Sequence, residues 1–180
     1  MNNKQKTLFG IVAVAALVGG FYAAQFTSKP LPADQAAAMP AQMVEFTLPD
    51  VNDKPHNINE WRGKLILLNF WATWCPPCRE EIPLFISMQE KYGKQGLQII
   101  GVAIDKKQDV ETYADFNFIN YPILIGQEEV MGIMKSYGNR LGTLPYTVVI
   151  GPKGRVLGRK VGAYKRPELE ALLGGLLAES

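Results

Sequence analysis

The stretch Leu65-Ile-Leu-Leu-Asn-Phe-Trp-Ala72 is almost unbroken apolar sequence, the pattern of a short central strand covered on both faces. Such a strand needs cover on two sides, and the flanking chain supplies it. A helix is expected from Pro76 to about Tyr92, closed by Gly93, and a second buried strand from Leu97 to Ile104. Asp109 to Phe118 reads as a helix, Tyr121 to Ile125 as a short strand, and Glu128 to Tyr137 as a helix ending at Gly138. Tyr146 to Ile150 and Val156 to Val161 read as strands paired across the turn Gly151-Pro152-Lys153-Gly154. The last helix starts at Pro167, a favoured first-turn position. It carries Leu169, Leu172, Leu173, Leu176 and Leu177 on one face, with Gly174 and Gly175 weakening its end. Upstream, Val44 to Leu48 alternates like a half-buried strand, followed by turn residues at Pro49-Asp50 and Asn52-Asp53. The alternation predicts an α/β fold with one sheet and helices on both faces.

Trp74-Cys75-Pro76-Pro77-Cys78 follows the central strand directly and opens the next helix. A spacing of three puts both sulfurs on one side of the first turn, close enough to bond without moving the backbone. Unpaired N–H groups and the helix dipole favour an anion there, which makes Cys75 the attacking thiolate. Cys78, one turn inside, is better shielded and suited to resolve a mixed disulfide. An inert structural disulfide is the bland alternative, and the strand-to-helix junction argues against it. These are the only two cysteines and there is one histidine, so neither a four-thiolate nor a mixed zinc site can be assembled. No metal and no cofactor beyond the Cys75–Cys78 couple is expected. Glu81 lies three residues beyond Cys78 on the same helical side, where burial would raise its pKa and let it exchange a proton with that thiol. An exposed first-turn glutamate favoured by the dipole is the alternative reading, and Glu80 beside it reads as solvent-facing.

The N-terminus reads as an address. Lys4 and Lys6 precede an uncharged, apolar run from Leu8 to Ala24 that Phe26 extends beyond Gln25. As a helix the run reaches roughly 26–28 Å, about a bilayer's hydrocarbon core. The two lysines leave the N-terminus in the cytoplasm and the rest outside. Residues 1–26 are therefore expected to be an uncleaved signal-anchor forming one transmembrane helix, with a cleaved signal peptide as the competing reading. Residues 27–42, rich in Pro and Ala, read as a tether, and residues 43–180 as the folded domain. Residues 29–180 carry 17 basic and 17 acidic groups, a balance that counts against binding nucleic acid.

The stretch GKLILLNFWATWCPPCREEIP from Gly63 to Pro83, with Thr143-Leu144-Pro145-Tyr146-Thr147 before a later strand, resembles the thioredoxin superfamily. Within it, the chain is similar to the TlpA/ResA/DsbE-like group of membrane-anchored extracytoplasmic proteins. The resemblance covers roughly Val44 to Leu177. It implies a thioredoxin-like fold with a central mixed sheet, and a cis bond between Leu144 and Pro145 lying against the cysteine pair. It also implies a docking edge at Leu144 and Pro145 for an extended substrate segment, with Trp74 contributing to the surface. ResA-like members carry an acid at the position of Glu81. The cytosolic thioredoxins place theirs on the preceding strand, where this chain has Asn69.

The implied activity is thiol–disulfide oxidoreduction on the periplasmic side of the cytoplasmic membrane, in the reducing direction. Exported cysteine proteins such as apocytochrome c are the implied substrates, and a DsbD/CcdA-like membrane protein the electron donor. Oxidase or isomerase activity is the alternative within the class. A peroxidase of this fold would need Thr three and Pro seven residues before its reactive cysteine. Those positions are Ala72 and Leu68 before Cys75, and Cys75 and Trp71 before Cys78. A copper-handling role could use two soft thiolates, but no Met or His accompanies them in a ligand arrangement. His56 reads as a surface residue in a polar loop, Trp71 as core, and Trp61 as a packing residue. Eight basic and no acidic residues lie between Val130 and Pro167, a solvated face or one that meets anionic lipid or an acidic partner.

Overall fold

The computed structural model describes residues 41–178. The expected anchor (1–26) and all of the tether but Ala41 and Gln42 lie outside the described residues. Among the described residues no helix is long and apolar enough to cross a membrane. The element order is β1 (Thr47–Pro49), β2 (Pro55–Asn57), β3 (Leu65–Trp71), α1 (Pro76–Tyr92), β4 (Leu97–Ile104), α2 (Lys107–Phe116), β5 (Ile123–Gly126), α3 (Glu128–Ser136), β6 (Tyr146–Ile150), β7 (Val156–Val161) and α4 (Arg166–Ala178). Five strands form one mixed sheet in the order β5-β4-β3-β6-β7. β3 is central, parallel to β4 and antiparallel to β6. Every residue of β3 is buried, as its composition requires.

The two faces of the sheet bury different partners. On one face Ile66, Leu68, Phe70, Ile100, Val102 and Val148 pack with Met43, Phe46 and the α3 residues Val130 and Met134. On the other, Leu65, Leu67, Leu97, Ile99 and Val149 pack with Phe85 and Met88 of α1 and with Leu169 and Leu173 of α4. Trp71, Ala72, Ala103 and Val110 complete that face around the two cysteines. Register fixes the two ends of the sheet. Leu65 pairs with Leu97 and Ile66 with Ile150 at one end, and Trp71 pairs with Ala103 and Phe70 with Tyr146 at the other, where the cysteines follow.

Several boundaries differ from the sequence reading. The strand expected over 44–48 is a hairpin of β1 and β2 starting at Thr47; upstream, the Val44 N–H donates to the Tyr137 hydroxyl at 2.9 Å instead of to a neighbouring strand. α2 begins two residues early and ends at Phe116, because Phe118 adopts a left-handed backbone (φ 54) that a helix cannot continue through. β5 starts at Ile123 rather than Tyr121. α4 continues through Gly174 and Gly175 to Ala178, held by its leucine face. Ala41 and Gln42, tether by composition, are bonded to the start of β7: the Val156 N–H donates to the Ala41 carbonyl at 2.9 Å and Gln42 bridges Arg155. His56 is half-buried in β2, between Asp50 and Glu60 and stacked on Trp61, and so clamps the hairpin to the segment after it.

Candidate active site

β3 delivers the chain to the carboxyl end of the sheet, and Cys75 caps α1 there with an extended backbone (φ −93, ψ 105). Pro76 and Pro77 occupy the first turn, where a missing N–H costs the helix nothing. Cys75 and Cys78 form a disulfide, with S–S 2.11 Å and Cα–Cα 5.3 Å. Cys78 is fully buried and Cys75 is nearly so, at 4% exposed. The order of shielding is the expected one. The two prolines between the sulfurs face solvent. The approach to Cys75 is tied down from the residue that follows β4: the Thr73 N–H donates to Asp105 Oδ2 at 3.0 Å, and the Thr73 hydroxyl donates to the same oxygen. Asp105 Oδ1 accepts from the Lys106 N–H at 2.8 Å, so both carboxylate oxygens are engaged.

Glu81 is buried rather than exposed, which removes the solvent-facing alternative. Asn69 of β3 donates to its Oε1 at 2.8 Å, and the Tyr164 N–H donates to its Oε2 at 2.9 Å. The same Asn69 amide donates to Thr147 Oγ1 at 3.0 Å, which links the acid on α1 to β6. Burial pushes the Glu81 carboxyl from 4.5 up to about 7, against the opposing pull of Tyr164, Asn69 and the Lys160 ammonium. A carboxyl of that kind holds a proton for part of the time at neutral pH and can pass it on. Glu80, by contrast, is exposed.

The Leu144–Pro145 bond is cis. Leu144 packs against the cluster that contains Cys75 and Cys78, so the loop expected beside the sulfurs is there. Pro145 is buried, and its carbonyl accepts from the Gly162 N–H at 2.8 Å. The buried Asn139 closes the preceding loop, donating to the Thr143 carbonyl at 2.8 Å and accepting from the Thr143 N–H at 3.1 Å. A groove of about 500 Å³ runs beside it, lined by Asn139, Leu141, Thr143, Tyr146 and Val161 among others. Leu141 is 92% exposed, and Trp74, on the other side of the sulfurs in sequence, is 66% exposed. Trp71 is core; its Nε1 is buried without a hydrogen-bond partner among the described residues and faces Gly101, where a Cβ would sit 3.0 Å away.

The sequence points to Cys75, Cys78, Glu81, Trp74, Leu144 and Pro145 but not to the groups that hold them: Thr147, Asp105, Asn139 and the Tyr164 backbone. One signal was available for the first. Asn69 is the single polar residue in an otherwise apolar central strand, and a buried amide must find partners on the neighbouring strand and the covering helix. Among the described residues no group of three or more His, Cys, Asp or Glu side chains is arranged to hold a metal ion.

The AhpC/TSA family model matches residues 39–159. Thiol-disulfide oxidoreductase ResA of Geobacillus thermodenitrificans is 34% identical over 152 residues, covering 84% of this chain and 82% of that protein. Among solved structures, a thioredoxin-family thiol:disulfide interchange protein from Chlorobium tepidum TLS superposes with a TM-score of 0.70 at 29% identity. It covers 78% of this chain and 98% of its own. A second Chlorobium tepidum structure, described as a thiol:disulfide interchange protein DsbE, gives a TM-score of 0.68 at 25% identity over 77% of this chain and 99% of its own.

Proposed function

Since this chain belongs to the AhpC/TSA family, as a ResA/DsbE-like thiol-disulfide oxidoreductase of the thioredoxin superfamily, we propose that it works as a membrane-tethered reductant of protein disulfides outside the cytoplasm. In this reading the Cys75 thiolate attacks a substrate disulfide, forming a mixed disulfide and releasing one substrate thiolate. The Cys78 thiol gives its proton to the Glu81 carboxylate and attacks the Cys75 sulfur, releasing the second substrate thiolate. Two electrons leave the dithiol and the Cys75–Cys78 disulfide remains, with no further cofactor. Trp74, Leu144 and Pro145 form the docking edge. The observation that carries the reading is a buried acid one turn behind the fully shielded sulfur, held by Asn69 and Tyr164.

Exported cysteine proteins such as apocytochrome c are the substrates of this reading, and a DsbD/CcdA-like membrane protein restores the dithiol. The apolar run Leu8–Ala24 after Lys4 and Lys6 supports a signal-anchor that keeps the domain on the periplasmic side. Direction follows from potential. Equilibration of the couple with glutathione should give a value near the ~−270 mV of a reducing dithiol, and a value near the ~−120 mV of a strong oxidant overturns the assignment.

A further inference from the structure

The end of the sheet opposite the sulfur pair is built from three loops, residues 62–64, 93–96 and 151–155. They are tied together through the backbone: the Gly63 N–H donates to the Pro152 carbonyl at 3.1 Å, and the Leu65 N–H to the Gly96 carbonyl at 2.9 Å. The three loops hold Arg62, Lys64, Lys94, Lys153 and Arg155, all exposed, and not one acidic residue. In a chain with 19 basic and 17 acidic groups, five cations and no acid in three adjoining loops is far from an even scatter, the nearest carboxylates in sequence being Glu60 and Glu90 before the first two loops. The chain also enters the domain here. Val156 bonds Ala41, Gln42 bridges Arg155, and the Met43 N–H donates to the Gly154 carbonyl at 2.7 Å.

We propose that this basic end is a docking face for an anionic lipid surface, so that the tethered domain rests on the membrane with its cysteine pair turned away from it. The proposal rests on the reading of Leu8–Ala24 as an anchor. Between that segment and Ala41, residues 27–40 span at most about 50 Å even fully extended. A tether of that length confines the domain near the bilayer without choosing which face meets it. Five cations within a Debye length of anionic headgroups make the choice. β3 then separates the lipid-facing loops from the sulfurs by roughly 23 Å, beyond the headgroup region. The sulfurs reach soluble clients in the docked pose, and the domain must lift and turn on its tether to meet a membrane-embedded donor.

The test uses the full chain reconstituted in vesicles of phosphatidylcholine alone or mixed with phosphatidylglycerol, with lysine acetylation followed by mass spectrometry. Lys94 and Lys153 report the basic end; Lys106, exposed beyond the carboxyl end of β4, is the internal control. Acetylation of Lys94 and Lys153 should slow at least about threefold in the anionic vesicles and recover in ~0.5 M salt, with Lys106 unchanged. The double variant Lys64→Glu with Arg155→Glu, at exposed positions remote from the sulfurs, should lose the protection while its disulfide reduction in detergent matches the parent. Equal labelling at both ends in both lipids overturns the proposal, as does protection of Lys106 instead. Protection that needs an added acidic protein rather than phosphatidylglycerol also overturns it. Vesicle flotation in ~0.5 M salt separates the two readings. Release from the vesicles defeats the anchor and this proposal with it, whereas retention with uniform labelling defeats the docking face alone.

Discussion

Replacing Glu81 by Gln tests whether the buried acid carries a proton on and off at neutral pH. In the folded oxidised protein burial raises this carboxyl from 4.5 to about 7, so the folded state binds the proton more tightly than the unfolded chain does. The stabilisation is complete below pH 4.5 and is lost as pH rises through 7, because unfolding then frees an ion that folding had confined. At about 1.4 kcal/mol per pH unit, the interval amounts to about 3 kcal/mol. The glutamine cannot titrate, but its one amide oxygen can serve only one of the two donors that Asn69 and Tyr164 present. Leaving the other unpaired costs about 1–3 kcal/mol at every pH. Two curves should therefore cross. In urea unfolding of the oxidised domain, the parent loses about 3 kcal/mol between pH 4.5 and 8. The variant starts lower, shows no such loss from this site, and matches or exceeds the parent above pH 7. A parent whose stability does not fall across that interval, or a Gln variant with the same slope, would refute the reasoning.

Three further outcomes follow from the same geometry. Asp105→Ala removes the acceptor of both Thr73 bonds and should cost about 1–2 kcal/mol while slowing disulfide reduction, with Asp105→Asn recovering most of the rate; an Ala variant with unchanged rate removes Asp105 from positioning the motif. Phe85→Ala, at a fully buried ring between the sheet and Tyr164, should lower unfolding free energy by about 3–5 kcal/mol. Trp74→Ala, at a largely exposed ring, should leave stability within about 0.5 kcal/mol of the parent and raise KM for protein disulfides; a large loss of stability would make Trp74 a packing residue.

How far the sequence could be read depended on whether the deciding partners were local. β3, α1 and β4 were legible because a continuous apolar run and a first-turn proline pair dictate their own structure. The sulfur pair was legible for the same reason, since a spacing of three on a helix fixes its geometry. The β1–β2 hairpin was displaced because Val44 is captured by the hydroxyl of Tyr137, 93 positions away, which no local pattern encodes. Glu81 could be named but not decided: its side chain alone fits water or core equally well. The decision came from Asn69 on one side and the backbone of Tyr164 on the other, 83 residues downstream. Asp105 carries no such local signal, because it sits just past the end of a strand, where an aspartate commonly begins a turn.

Pro76 and Pro77 face solvent, whereas both sulfurs, the acid behind them and the amide that holds that acid are closed off from it. Between the two sulfurs, the dipeptide is thus the part whose side chains look outward rather than into the core. Exchanging it amounts to turning a dial mounted outside the casing. Variants differing only there keep the buried acid and its amide partner, so a shift along the redox scale can be read against the same Glu81 and Asn69.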